Sequence, residues 1–189
     1  MMGIVTADSI DPAGRARAAV GAGEFRSLMS RLPSGVTVVT VSEPGGGRWG
    51  TTCSSVCSVS LDPPMLLVCL HADSATLAAI LRRSMFAVNL LHEGARYAAE
   101  VFSSARIGRF SRVNWRDEPG FSGPHLIDDA HAIADCRVVR VVPMGDHSVV
   151  FGKVVASQQD ARRPARPLLY GLRQYLTWPA EPGELERPA

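Results

Sequence analysis

Long apolar runs are missing from this sequence. No stretch approaches the roughly 18 to 20 consecutive apolar residues of a membrane-spanning helix. The opening MMGIVTADSIDPAGRARAAV lacks the apolar core of a secretory signal. The reading is therefore a chain with no membrane span, whose residues 1–22 form a mobile tail. Charge of one sign is also scarce: 20 Lys and Arg face 18 Asp and Glu, for a net charge of +2. No dense basic stripe interleaved with aromatics is present, so nucleic acid is not an expected partner. The densest basic stretch, Arg162-Arg163-Pro164-Ala165-Arg166, reads as a solvated loop.

Cysteine is sparse and unpatterned. Cys53, Cys57, Cys69 and Cys136 form neither CxxC pairs nor zinc-ribbon spacing. Three of them sit among apolar or small residues, where the side chain behaves as a small buried hydrophobe, which suits a reducing cytoplasm. His92, His125 and His131 are scattered without ligand spacing, so no metal is expected. The carboxylate pairs Asp117-Glu118 and Asp128-Asp129 lie in loop-like surroundings and read as solvated surface. The chain lacks GxGxxG at a strand-to-helix junction and lacks GxxxxGK[ST], leaving a Rossmann or P-loop reading without support.

What is present is a succession of short β-rich runs. The 189 residues are 46% hydrophobic and 20% charged, enough for one core. Glu24 to Leu32 sets Phe25, Leu28, Met29 and Leu32 at helical spacing, stopped by Pro33-Ser34-Gly35. Val36 to Val41 is β-branched and ends at the EPGGG turn. GTTCSSVCSVSL continues to Asp62-Pro63-Pro64. Met65 to Leu70 is apolar throughout, as in a strand buried on both faces. Asp73 to Thr76 supplies N-cap chemistry for the helical LAAILRR. Met85 to Leu91 reads as strand and Gly94 to Phe102 as helix. Residues 103–124 form a long Gly/Ser/Arg/Pro excursion. His131 to Val142 and His147 to Ser157 form two long strands around Pro143-Met144-Gly145-Asp146, and Leu168 to Trp178 is a last short segment. This pattern favours a Greek-key or barrel-like β domain. It spans 23–178, followed by a tail over 179–189.

Two stretches carry ligand chemistry. In Gly50-Thr51-Thr52-Cys53-Ser54-Ser55, a glycine followed by hydroxyl residues lets backbone N–H groups approach a polar ring or a phosphate. The plainer reading is a Ser/Thr-rich edge strand. The Asp73 to Thr76 helix start offers unpaired N–H groups and a positive dipole end for a phosphate. Taken alone, the plainer reading is an ordinary cap.

Taken in order, GVTVVT, GTTCSSVCSVSLDPP, MLLVCL, FAVNLL, AAEVF, DCRV and GDHSVVFGKV resemble the short-chain flavin reductase family. The likeness covers roughly Phe25 to Trp178. It implies a mainly β, FMN-binding type of split β-barrel with a few short peripheral helices, in a homodimer with flavin near the subunit interface. It also implies NAD(P)H-dependent reduction of FMN or FAD, with NADH or NADPH as hydride donor, and a partner flavin-dependent monooxygenase that receives the reduced flavin.

Residue by residue, the resemblance assigns flavin contact to Trp49, Gly50, Thr51, Thr52, Ser54 and Ser55. Leu70 and His71 match a segment beside the ring and ribityl chain. Ala75 and Thr76 match the phosphate turn, and Val101 and Phe102 match a further flavin contact. His147 matches the histidine of a GDH motif near the approaching nicotinamide, in a catalytic role of orientation or polarisation. Tyr170, Gly171, Leu172 and Arg173 match the nicotinamide-nucleotide segment, though YGLR departs from the YFRG of relatives. Two alternatives stand beside this reading: a flavin carrier without efficient NAD(P)H turnover, and a pyridoxamine phosphate oxidase type of split barrel, which the GDH and DPP motifs fit less well.

Overall fold

A computed structural model describes residues 19–104, 107–160 and 166–178. Residues 1–18 of the expected tail over 1–22, the whole expected tail over 179–189, and the basic stretch apart from Arg166 lie outside the described residues, while Ala22 already belongs to a helix. Two units separate at Leu32. The first holds helix α1 (Ala22–Met29), with Phe25 and Leu28 exposed and no side chain buried.

In the second unit, β-branched residues from Val36 onward give β2 (Thr37–Ser42), preceded by the two-residue β1 (Ser34–Gly35). Val38 packs in one apolar cluster, and Val39 and Val41 pack in another. Alternate side chains of a strand point to opposite faces. The continuous β-branched run is thus explained by burial on both faces.

The turn after β2 is closed by a Glu43 N–H to Gly47 carbonyl bond of 2.8 Å, with Gly45 and Gly46 at φ 92°. It leads into β3 (Arg48–Cys53), β4 (Val56–Leu61) and β5 (Pro64–His71). Helix α2 (Ala75–Arg83), β6 (Met85–Leu91) and helix α3 (Arg96–Ser103) follow. After a 3-10 turn at Arg109–Arg112 come the long β7 (Ala130–Met144) and β8 (His147–Gln159), then β9 (Leu168–Gly171) and β10 (Gln174–Thr177). Gly145 opens the β7–β8 turn at φ 61°, a conformation that glycine adopts without steric cost.

Seven strands form one antiparallel sheet in the order β3-β2-β6-β7-β8-β5-β4, and β1-β9-β10 form a second. The fold is mainly β with a few short helices, as expected. The large sheet is not closed into a barrel by hydrogen bonds, because its edges β3 and β4 do not pair with each other. Those edge strands are consecutive in the chain, separated by only Ser54 and Ser55. The sheet must therefore curl back on itself to bring its two edges to one corner.

Two sequence expectations change. GTTCSSVCSVSL is two strands on opposite edges, and both serines at the break are exposed. Met65 to Leu70 is not buried on both faces: Val68 and Leu70 are buried, while Met65, Leu66, Leu67 and Cys69 are half-buried. The sheet covers one face of β5 and leaves the other partly open.

Candidate active site

Ser74 caps α2 by accepting the Leu77 N–H at 3.4 Å. Because the first turn of a helix leaves its N–H groups without intrahelical acceptors, Ala75 and Thr76 present theirs at this end. They line a groove of about 660 Å³ together with Trp49, Gly50 and Thr51 of β3 and with Arg109 and Phe110 of the 3-10 turn. The structure thus joins the expected phosphate turn to the first half of the expected flavin strand. Thr76 is buried.

Glu43 fixes the wall of this groove. Its carboxylate accepts from Trp49 Nε1 at 2.8 Å and from Arg82 Nε at 2.6 Å. Those hydrogen bonds hold its pKa below the ordinary carboxylate value. Arg48 lies 4.3 Å from the centre of the Trp115 ring, and Arg109 Nη1 donates to the Gly50 carbonyl at 2.6 Å. Arg109 and Phe110 carried no sequence signal, since their excursion has no hydrophobic periodicity.

Val101 and Phe102 lie behind the strand instead of on the groove. Both are buried in a core cluster, and Phe102 packs against Gly50 and edge-on to Phe110. Leu70 is likewise a core side chain. Of the three, Phe102 is shown in contact with a groove residue, Gly50.

A second groove, of about 640 Å³, takes Thr52 and Ser54 from the second half of the strand and Tyr170 and Arg173 from the β9–β10 hairpin. Arg96, Glu100 and Tyr175 complete it. Tyr170 and Tyr175 are edge-on at 5.1 Å between ring centres, and Arg96 Nε donates to Glu100 at 2.8 Å. Burial pushes the Tyr175 hydroxyl pKa up. The hairpin turn is Leu172-Arg173, with φ of 49° and 61°. Non-glycine residues in this left-handed region cost about 1 to 2 kcal/mol each. Gly171 lies at a distinct contact: a Cβ there would stand 3.2 Å from Pro33 Cβ.

His71 and His147 meet edge-on at the β5–β8 pairing, with ring centres 5.3 Å apart. His71 Nδ1 accepts the Asp73 N–H at 3.2 Å, so a neutral His71 carries its proton on Nε2. His147 Nδ1 lies 2.7 Å from Asp146 Oδ1, which places the proton on Nδ1 and leaves Nε2 for a ligand. That hydrogen bond holds the Asp146 pKa below its usual value. The Ala72 N–H to Asp146 carbonyl bond of 2.9 Å ties the GDH turn to the start of α2. Ser55 is exposed at the β3–β4 corner, and its carbonyl accepts from the Cys69 N–H at 3.1 Å.

The excursion between α3 and β7 is held by buried polar groups that sequence reasoning did not single out. Asn89 receives the Leu126 N–H at 2.8 Å and donates to the Val38 carbonyl at 3.1 Å. Thr40 donates to the Pro124 carbonyl at 2.6 Å, and Asp135 receives the Ser122 N–H at 2.6 Å. His125, expected only as a scattered histidine, is buried 3.1 Å from Asp135 and stacked on Phe121. Among the described residues, no group of three or more His, Cys, Asp or Glu could hold a metal ion, and no helix is long and apolar enough to cross a membrane.

Comparison with known proteins identifies the family. The sequence model described as "Flavin reductase like domain" matches residues 29–179. The chain is 46% identical over 167 residues to a flavin reductase (NADPH) of Lentzea aerocolonigenes, covering 88% of this chain and 96% of that protein. It is 45% identical over 159 residues to a flavin reductase (NADH) of Kitasatospora aureofaciens, covering 83% and 82% respectively. A crystal structure of a nitrilotriacetate monooxygenase component B homologue from Mycobacterium thermoresistibile superimposes with a TM-score of 0.77 at 36% identity, covering 87% of this chain and 89% of that one. The curled antiparallel sheet and the groove joining β3 to the start of α2 thus belong to a member of the flavin reductase like domain family.

Proposed function

We propose that this protein is an NAD(P)H-dependent flavin reductase that supplies reduced flavin to a partner monooxygenase. The observation that carries the reading is that consecutive residues of one edge strand, Thr51 and Thr52, line two different grooves. One groove has the capped helix start, and the other has paired tyrosines and an arginine. Ligands in the two grooves would flank the same strand, one on each of its faces.

The residues fit a flavin. Ala75 and Thr76 N–H groups and the Ser74 hydroxyl form a donor set for its phosphate, and the absence of a side chain at Gly50 lets Phe102 pack against the strand from behind. Thr51 supplies a hydroxyl on the flavin groove, while Thr52, whose hydroxyl donates to the Ala99 carbonyl at 2.6 Å, and Ser54 line the other groove, and Ser55 stands at the corner. Phe102 backs the wall at Gly50, while Leu70 and Val101 are core side chains. Bound flavin, FMN or FAD, supplies the two-electron acceptor chemistry. His147 and His71 stand outside the linings of both grooves; His147 Nε2, with Nδ1 bonded to Asp146, is the group assigned to the nicotinamide, and the His71 ring lies edge-on to it. Tyr170 to Arg173 hold the nucleotide.

A homodimer is part of this reading, supported by the exposed apolar side chains Val59, Leu61, Val139 and Val155 on β4, β7 and β8. The name of the Mycobacterium thermoresistibile relative, a monooxygenase component, supports delivery of reduced flavin to an oxygenase. The four cysteines are free, which suits the reducing cytoplasm.

Steady-state turnover separates this reading from a flavin carrier. Loss of NADH or NADPH absorbance in air should rise with added FMN or FAD at fixed protein. Bound flavin with no such oxidation would establish the carrier instead.

A further inference from the structure

We propose that Arg173 recognises the 2′-phosphate of NADPH, so that the groove beside the β9–β10 hairpin selects NADPH over NADH. The inference rests on the reductase reading and goes beyond it by naming the phosphorylated dinucleotide and the residue that selects it.

The argument begins with charge. Of the two guanidinium groups in the groove, Arg96 is occupied: its Nε donates to Glu100 at 2.8 Å, and its carbon lies 5.6 Å from the Tyr175 ring centre. Arg173 makes no salt bridge among the described residues. With Glu100 matched by Arg96, the uncompensated positive charge of the lining is that of Arg173. A groove with one spare guanidinium favours an added anion.

The second part is shape and chemistry. Tyr170 and Tyr175 present aromatic surface for a base, and Thr52, Ser54 and Gln174 present hydrogen-bonding groups along the same lining. This is a lining for a nucleoside carrying an anion. NADH and NADPH differ only at the ribose 2′ position, a hydroxyl in one and a phosphate monoester in the other. Guanidinium matches phosphate with two parallel charge-assisted N–H bonds, whereas a hydroxyl gives one weaker bond. A nearby arginine is also the general means of accommodating that phosphate.

The third part is the turn. Leu172 and Arg173 occupy a two-residue hairpin loop with both φ values positive, where Asn-Gly is the favoured pair. A chain selected only for a stable hairpin would place glycine at position 173. This chain instead carries an arginine at that position, in the lining of the groove.

The test uses Arg173→Gly. Glycine accepts a φ of 61° without strain, so this substitution removes the charge while favouring the turn. The wild-type protein should bind adenosine 2′,5′-bisphosphate more tightly than adenosine 5′-monophosphate in calorimetric titration without flavin. It should also show higher kcat/KM with NADPH than with NADH. In Arg173→Gly both preferences should fall by about 10- to 100-fold, the range of a charge-assisted hydrogen bond. Arg173→Lys should keep part of each.

An unchanged NADPH to NADH ratio in Arg173→Gly would overturn the proposal, as would a wild-type preference for NADH. Failure to oxidise either nucleotide in the presence of flavin would instead remove the reductase reading on which it rests.

Discussion

Gly50 and Phe102 are in direct opposition: a Cβ built on Gly50 would stand 2.7 Å from Phe102 Cε1 and 2.9 Å from Cδ1. Both the strand backbone and a buried ring would have to shift to admit one methyl group. Because β3 carries Trp49 to Thr52, that shift reaches the groove.

Gly50→Ala should therefore lower stability by about 1 to 3 kcal/mol through overpacking and weaken flavin binding at the same time. The double variant Gly50→Ala/Phe102→Leu should recover part of both, since the two residues share one contact. Thermal unfolding and flavin titration of the three variants check this. Additive losses in the double variant would contradict the contact.

Thr76 is buried at the start of α2 and lines the groove. If its hydroxyl holds the flavin phosphate, Thr76→Ala should weaken flavin binding by about 1 to 3 kcal/mol. Thr76→Ser should restore most of the loss. Equal flavin dissociation constants for wild type and Thr76→Ala, by fluorescence titration, would remove that hydroxyl from the site.

His147→Ala should slow reduction of bound flavin while leaving flavin affinity nearly intact, because its ring is assigned to the nicotinamide. Anaerobic stopped-flow mixing with NADPH measures the reduction rate directly. A wild-type rate would assign the Asp146–His147 pair to the turn alone.

The buried thiols set an alkaline limit. Burial raises the Cys53 pKa from 9.0 to about 11 and that of Cys136 to about 12. Above the unfolded value of 9.0 the unfolded chain loses a proton that the folded chain retains, so stability falls as pH rises. Between pH 9 and 11 Cys53 alone should cost about 2 to 3 kcal/mol. Urea unfolding across that range should show the decline, and Cys53→Ala should flatten it relative to wild type.

The sequence made the elements legible where one residue type dominates. Met85 to Leu91 is the strand expected, and His147 begins the last long strand as expected. The start of α2 was visible because Ser74 is a capping residue followed by a helical run. The break at Ser54-Ser55 was not visible, since the same hydroxyl residues suit a strand and a corner. Nor did the sequence reveal that Val101 and Phe102 act from behind β3, which depends on where α3 packs. Arg109 and Phe110 lie in an excursion positioned by Asn89, Thr40 and Asp135 from distant strands, and no local pattern announces such placement.

The most direct measurement is anaerobic mixing of the protein and flavin with NADPH, and separately with NADH, following the visible flavin absorbance. The account predicts that the absorbance bleaches as one nicotinamide is oxidised per flavin reduced, far faster than without protein. Flavin that binds but stays oxidised with both nucleotides would contradict the central claim.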